Sequence, residues 1–166
     1  MRTVYLGTSD FAVQVLRRLA DSPHKPQLVV TRPDRPKGRG RRLQSPPVAD
    51  AARLIGLPVI QPESVNSDEA REQIAAAKPD EVVICAFGAL IKEPLLSEHP
   101  MLNVHPSLLP RWRGAAPNER AIDAGDETTG RMMQTPVTSS PAIIARSIGA
   151  APRQRGSSEG CTFSMA

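Results

Sequence analysis

Short apolar runs alternate along the chain with segments of helical periodicity. TVYL (3–6) is β-branched and apolar, reads as a buried strand, and breaks at Gly7-Thr8-Ser9. Phe11, Val15, Leu16 and Leu19 then recur at helical spacing, and Ser9 or Asp10 can accept a hydrogen bond from the first-turn amides. QLVVT (27–31) is a second strand. Ser45-Pro46 predicts a helix that Gly56 ends, with Ser45 as N-cap and Pro46 at the first helical position. PVI (58–60) is a third strand, and Asn66 with Glu69 three residues on has the form of a capping box opening a helix through about Ala77. EVVICA (81–86) predicts a strand covered on both faces, MLNVH (101–105) another, and Pro117 starts a helix that Gly125 closes.

Strands alternating with helices imply right-handed crossovers and a mostly parallel sheet of about five strands, a Rossmann-like α/β domain. Ligands of such sheets bind beyond the carboxyl ends of the strands, where strand order reverses. Three strands end in loops able to line that cleft: GTSDF, AFGAL and HPSLLP. The first lacks GxGxxG, which leaves a dinucleotide reading with little support.

Composition adds limits. The chain has 166 residues and no apolar run near the roughly 20 residues of a membrane span, so a soluble, cytoplasmic protein without membrane contact is expected. Cys85 and Cys161 have neither disulfide-framework nor zinc spacing; Cys85 reads as a core thiol, and no metal site is expected. The net charge of +4 is concentrated, because RPDRPKGRGRR (32–42) sets Arg32, Arg35, Lys37, Arg39, Arg41 and Arg42 against Asp34 alone. A local basic patch points to a polyanionic contact at one place, the alternative being a solvated flexible loop.

The chemistry concentrates in NVHPSLLPRWRG (103–114). Side chains alternate across a strand, so Asn103 and His105 share a face while Val104 points into the core. Pro106 disfavours helical dihedrals at His105 and holds the imidazole at the lip of the sheet. Two N–H donors aimed at one point can stabilise oxygen charge as a trigonal carbonyl becomes tetrahedral, which suits acyl transfer. The competing reading of Asn-x-His before proline is a hydrogen-bonded strand end. His24 and His99 read as exposed loop residues. Trp112, flanked by Arg111 and Arg113, reads as a brace for its loop, since single-strand binders carry several aromatics rather than one.

These motifs carry a resemblance. LGTSDFA (6–12), TRPDRPKGRGRRLQSPPV (31–48), AFGALI (86–91), NVHPSLLPRWRGAAP (103–117) and AGDETTG (124–130) are similar to the N-terminal catalytic part of the methionyl-tRNA formyltransferases, within the 10-formyltetrahydrofolate-dependent formyltransferase family. The resemblance covers residues 1 to about 130. It implies transfer of a formyl group from 10-formyltetrahydrofolate to the amino group of methionyl initiator tRNA. It places Asn103 and His105 at the catalytic positions, with His105 also in proton transfer. It puts Ser107, Leu108, Leu109 and Pro110 in a folate-contacting turn, and Phe87, Gly88, Ala89 and Leu90 in the pterin pocket. Packing within the loop is the other reading of Leu108 and Leu109. It makes Arg32, Arg35, Lys37, Arg39, Arg41 and Arg42 the tRNA-contacting set.

The resemblance ends at Gly130. The family continues with a strand and a loop whose aspartate orients the catalytic histidine; in residues 131–166 there is no Asp, the sole acid is Glu159, and Pro141 stands where that aspartate belongs. Residues 131–166 are therefore read as a divergent, irregular tail, a changed reading frame or degenerate end. The family's C-terminal β-barrel has no counterpart, and impaired catalysis, with apolar sheet surface left open, is expected. A folded chain is expected to be a monomer. Two alternatives stay open: a formyltransferase acting on a small amine such as a glycinamide or sugar nucleotide, or a formyl-folate hydrolase; and a non-catalytic folate- or RNA-binding remnant.

Overall fold

The computed structural model describes residues 1–38, 40–107, 112 and 116–126, together with the backbone of 132–134. In chain order the elements are β1 (Thr3–Gly7), α1 (Asp10–Ala20), β2 (Pro26–Val30), β3 (Arg35–Lys37), β4 (Arg42–Gln44), α2 (Pro47–Leu54), β5 (Val59–Ile60), α3 (Asp68–Ala76), β6 (Glu81–Cys85), α4 (Leu95–Glu98), β7 (Met101–His105), α5 (Pro117–Asp123) and β8 (Met132–Gln134).

The main sheet has the order β5-β2-β1-β6-β7-β8. Its first five strands are parallel, and β8 pairs antiparallel with β7, Asn103 opposite Gln134 and His105 opposite Met132. Strand order reverses between β1 and β6, so the crevice such folds use lies beyond Gly7 and Cys85. The Rossmann-like, mostly parallel reading is met. Two strand assignments need correction. The loop after β2 contains an antiparallel hairpin, β3 with β4. The segment after Gly130, read as lacking the family's strand, supplies β8, so β7 is paired on that side.

Each sheet face carries its own core. Tyr5, Val29, Val83, Cys85 and Val104 pack against Val13, Leu16 and Leu19 of α1 and Val48 and Ala52 of α2. Cys85 is thus a core thiol, as read. On the other face Val4, Leu6, Val30, Val82 and Met101 pack with Ile74 of α3, Phe87 and Leu95. At the end of β1, Gly7 is required by close packing: a Cβ there would lie 2.7 Å from Tyr5 Cε1.

Three local expectations change. Pro46, in extended conformation, is the N-cap of α2, and Pro47 takes the first helical position. A proline disfavours helical dihedrals in the residue before it, so the helix starts one residue late. Ser67, not Asn66, caps α3, accepting from the Ala70 amide at 3.3 Å. His24 and His99 are half-buried rather than exposed, with His24 Nδ1 and His99 Nε2 enclosed and unpartnered among the described residues. No helix among the described residues is long and apolar enough to cross a membrane.

Candidate active site at the carboxyl ends of the strands

Register fixes the floor of the site. Ile60, Val30, Leu6, Ile84 and Asn103 are successive partners across β5, β2, β1, β6 and β7. An apolar row thus ends on one amide. Met101 lies in the α3-side core and Val104 in the α1-side core, so alternation places Asn103 and His105 together on the α3 side of the sheet. The expected shared face is there. Asn103 is half-buried, and its amide forms no hydrogen bond with a described residue.

The imidazole is less open than expected. His105 is only 9% exposed, not standing at an open lip. Its Nδ1 lies 2.8 Å from the hydroxyl of fully buried Ser107, which in turn donates a long 3.4 Å bond to the Trp112 carbonyl. Ser107 and the Trp112 carbonyl thus lie in series from the Nδ1 side of the ring. Ser107, which the resemblance put in a folate-contacting turn, presents its side chain to His105. A hydroxyl can fix the ring's orientation, but it lacks the negative charge with which a carboxylate raises imidazole basicity. Trp112 braces as read: its indole N–H donates to Asp126 just past α5 at 2.7 Å.

The loop leaving β6 is the other wall. Ala86 (φ 43°) and Gly88 (φ 74°) both take left-handed backbone, which turns the chain sharply out of the sheet. Side chains from elsewhere then fasten its backbone. The Thr8 hydroxyl donates to the Phe87 carbonyl at 2.6 Å, across the reversal point, and Arg32 Nη1 donates to the Gly88 carbonyl at 2.8 Å. The Asn66 side chain donates to the Leu90 carbonyl and accepts from the Lys92 amide, both at 2.8 Å. Gly88, Ala89 and Leu90 are exposed, Leu90 by 72%. Phe87 differs: its ring is core, 5% exposed, and only its carbonyl faces this network.

The basic set divides. Arg32 is committed to Gly88, and Arg35 pairs with exposed Glu63. Lys37, Arg41 and Arg42 are exposed on the hairpin and make no ion pair with a described residue. Arg39, Leu108, Leu109, Pro110 and Pro141 lie outside the described residues. Thr8, Asn66 and the orienting use of Ser107 were missed from sequence. Only Ser107 left a trace, because its place two residues past His105 keeps it within reach of the ring. Among the described residues no group of three His, Cys, Asp or Glu side chains is placed to hold a metal ion.

Residues 1–136 match the sequence profile of the family described as Formyl transferase. Over 132 residues the chain is 50% identical to the methionyl-tRNA formyltransferase of Methylococcus capsulatus, covering 78% of this chain and 43% of that protein. Over 150 residues it is 45% identical to that of Methylobacillus flagellatus, covering 88% and 49%. The chain thus spans less than half the length of these relatives. Among solved structures, glycinamide ribonucleotide transformylase 1 from Symbiobacterium toebii superposes with a TM-score of 0.62 at 21% identity, over 82% of this chain and 66% of that one. Phosphoribosylglycinamide formyltransferase from Bacillus halodurans gives 0.58 at 19%, over 90% and 88%. At these identities the likeness is one of fold.

Proposed function

The chain belongs to the formyl transferase family, and from that premise we propose that it carries the N-terminal catalytic half of an enzyme formylating the amino group of methionyl initiator tRNA, with 10-formyltetrahydrofolate as donor. The observation that carries this reading is the pairing of Asn103 with His105 on one face of β7, at the end of an apolar row and beside a loop held by its backbone. The residues present fit a flat heteroaromatic cosubstrate: exposed Ala89 and Leu90 offer apolar surface, and the fastened 86–92 backbone offers fixed polar groups.

When bound, the folate supplies a formyl carbon open to attack by an amine. Asn103 donates its amide N–H to the carbonyl oxygen as negative charge gathers there. With its Nδ1–H given to Ser107, His105 has a lone pair at the other ring nitrogen. That nitrogen would take the proton the attacking amine loses and return it to the folate nitrogen as the bond between the folate nitrogen and the formyl carbon breaks. The burial of the ring helps, because a hydrogen bond to developing charge is stronger away from water. The chain's own orienter of that ring is Ser107, a hydroxyl where the family pattern has a carboxylate. Turnover by these 166 residues is therefore expected to be slower than by a chain that carries the family's aspartate. Exposed Lys37, Arg41 and Arg42, with Arg39, supply the contact to the tRNA backbone.

The test measures formyl-methionine from charged initiator tRNA, using this chain and a version continued past Gly130 with the family's aspartate loop and C-terminal domain. The continued version is expected to turn over faster, and Asn103→Ala in it to lower kcat by about a hundredfold or more. Formylation of glycinamide ribonucleotide at a rate indifferent to tRNA would replace this reading with the small-amine one. Ligand binding without turnover in either version would leave a binding remnant.

A further inference from the structure

We propose that Gln61 is a positioning residue: it clasps the base of the basic hairpin and fixes the direction in which that hairpin meets its polyanionic partner. The partner's identity rests on the tRNA reading above, whereas the clasp rests on contacts within the chain. The hairpin leaves the sheet after β2 and returns at Ser45. β5 ends at Ile60, beside the exit of β2, where the Thr31 amide donates to the Ile60 carbonyl at 3.1 Å. Gln61 is therefore delivered to the root of the hairpin by sheet register.

There it uses both ends of its amide. Nε2 donates to the Arg32 carbonyl at 2.9 Å and to Asp34 Oδ1 at 2.7 Å, two points on the segment that leads into β3. Oε1 accepts from Arg53 Nη2 at 2.6 Å, and Nη1 of the same arginine donates to Ser45 Oγ at 3.0 Å on the outgoing side. One side chain thus holds the way in directly and the way out through the last turn of α2. A primary amide offers two donors and an acceptor on one carbon, and this junction uses all three; a carboxylate would repel Asp34, and an alkyl chain would bond to nothing.

Beyond the clasp, the hairpin's tie to the rest of the described chain is the exposed Arg35–Glu63 pair, which is solvated and therefore weak. β3 and β4 pair over three residues each, all exposed. An isolated two-stranded ribbon is marginal in water, so its orientation must come from its base. The charges that face outward, Lys37, Arg41 and Arg42, are useful to a phosphate backbone only if that base is fixed.

The test compares the full 166-residue chain with Gln61→Leu, Gln61→Glu and the Gln61→Glu/Asp34→Asn double variant, by hydrogen exchange at 35–44 and by affinity for unacylated initiator tRNA. Gln61→Leu is expected to speed hairpin exchange by about tenfold or more, because all three bonds of the junction are lost. It should weaken tRNA binding roughly three- to tenfold while leaving the salt dependence unchanged, because no phosphate-contacting charge is removed. Gln61→Glu should loosen the hairpin as well, and Asp34→Asn should restore part of the loss by donating to the new carboxylate, the bond to the Arg32 carbonyl staying lost. Unaltered hairpin exchange in Gln61→Leu, or no rescue in the double variant, overturns the clasp. Should Gln61→Leu also unsettle exchange at Val4–Leu6, the single and double Glu variants decide. Faster hairpin exchange with no tRNA binding even by the parent upholds the clasp and removes the tRNA reading instead.

Discussion

The loop after β6 and the hairpin after β2 leave the same end of the sheet, yet they are held in opposite ways. Residues 86–92 are fastened along their length by Thr8, Arg32 and Asn66, each reaching a backbone group. The hairpin is tied at its root and projects exposed side chains beyond it. On the function proposed above, the contrast follows the two kinds of ligand. A small cosubstrate is positioned by fixed donors and acceptors, and looseness there costs both affinity and alignment. A nucleic-acid backbone is met by charge, which tolerates adjustment at the tip so long as the root stays aimed.

The largest effect should come from the hairpin's charge. Replacing Lys37, Arg41 and Arg42 by Gln removes three phosphate contacts, so the slope of log affinity against log salt should flatten by roughly two to three. Folate affinity and folding should stay as they were. Equal losses for both ligands, measured by titration at several salt concentrations, would erase the contrast by making the hairpin part of the folate site.

Next in size is Asn66→Ala. It frees the Leu90 carbonyl and the Lys92 amide and should cost about 1–2 kcal/mol in denaturant unfolding, with weaker folate binding. Hydrogen exchange of the hairpin should not change. If it rises together with exchange at 88–92, the two regions are one cooperative unit.

The smallest effect lies at the far end of the sheet and serves as the control. Glu81 opens β6 at 5% exposure, one carboxylate oxygen has no partner among the described residues, and burial raises its pKa above the usual 4.5. With the folded value above the unfolded one, the native state binds more protons between the two. The favourable contribution is full below the unfolded value and is lost as pH rises through the folded one. Glu81→Gln should therefore melt a few degrees higher than the parent at neutral pH, with the gain shrinking toward pH 4 and neither ligand affected. A melting difference that is constant with pH, or of opposite sign, would rule out burial of the charge as its origin.

Much of the site could be read from the chain because it depends on local rules. Asn103 and His105 share a face because strand side chains alternate, whatever packs around them. Trp112 was legible as a brace, since a lone aromatic is a poor stacking platform. Asn66 was misread because a short amide side chain serves a helix cap and a neighbouring loop equally well; nothing local says that Ser67 will take the cap. Gln61 carried no signal, since its partners lie 8, 27 and 29 residues away.

The amino-acid sequence by itself determined the α/β alternation, the strand that bears the amide–imidazole pair, and the placing of basic charge in one segment. Periodicity and charge are properties of neighbouring residues, so they survive without coordinates. Tertiary structure alone decided that His105 is covered and met by a serine, that Arg32 reaches the Gly88 carbonyl, and that Gln61 lies at the root of the hairpin. Each of these depends on which distant groups the sheet register brings within about 3 Å, the distance at which hydrogen bonds form.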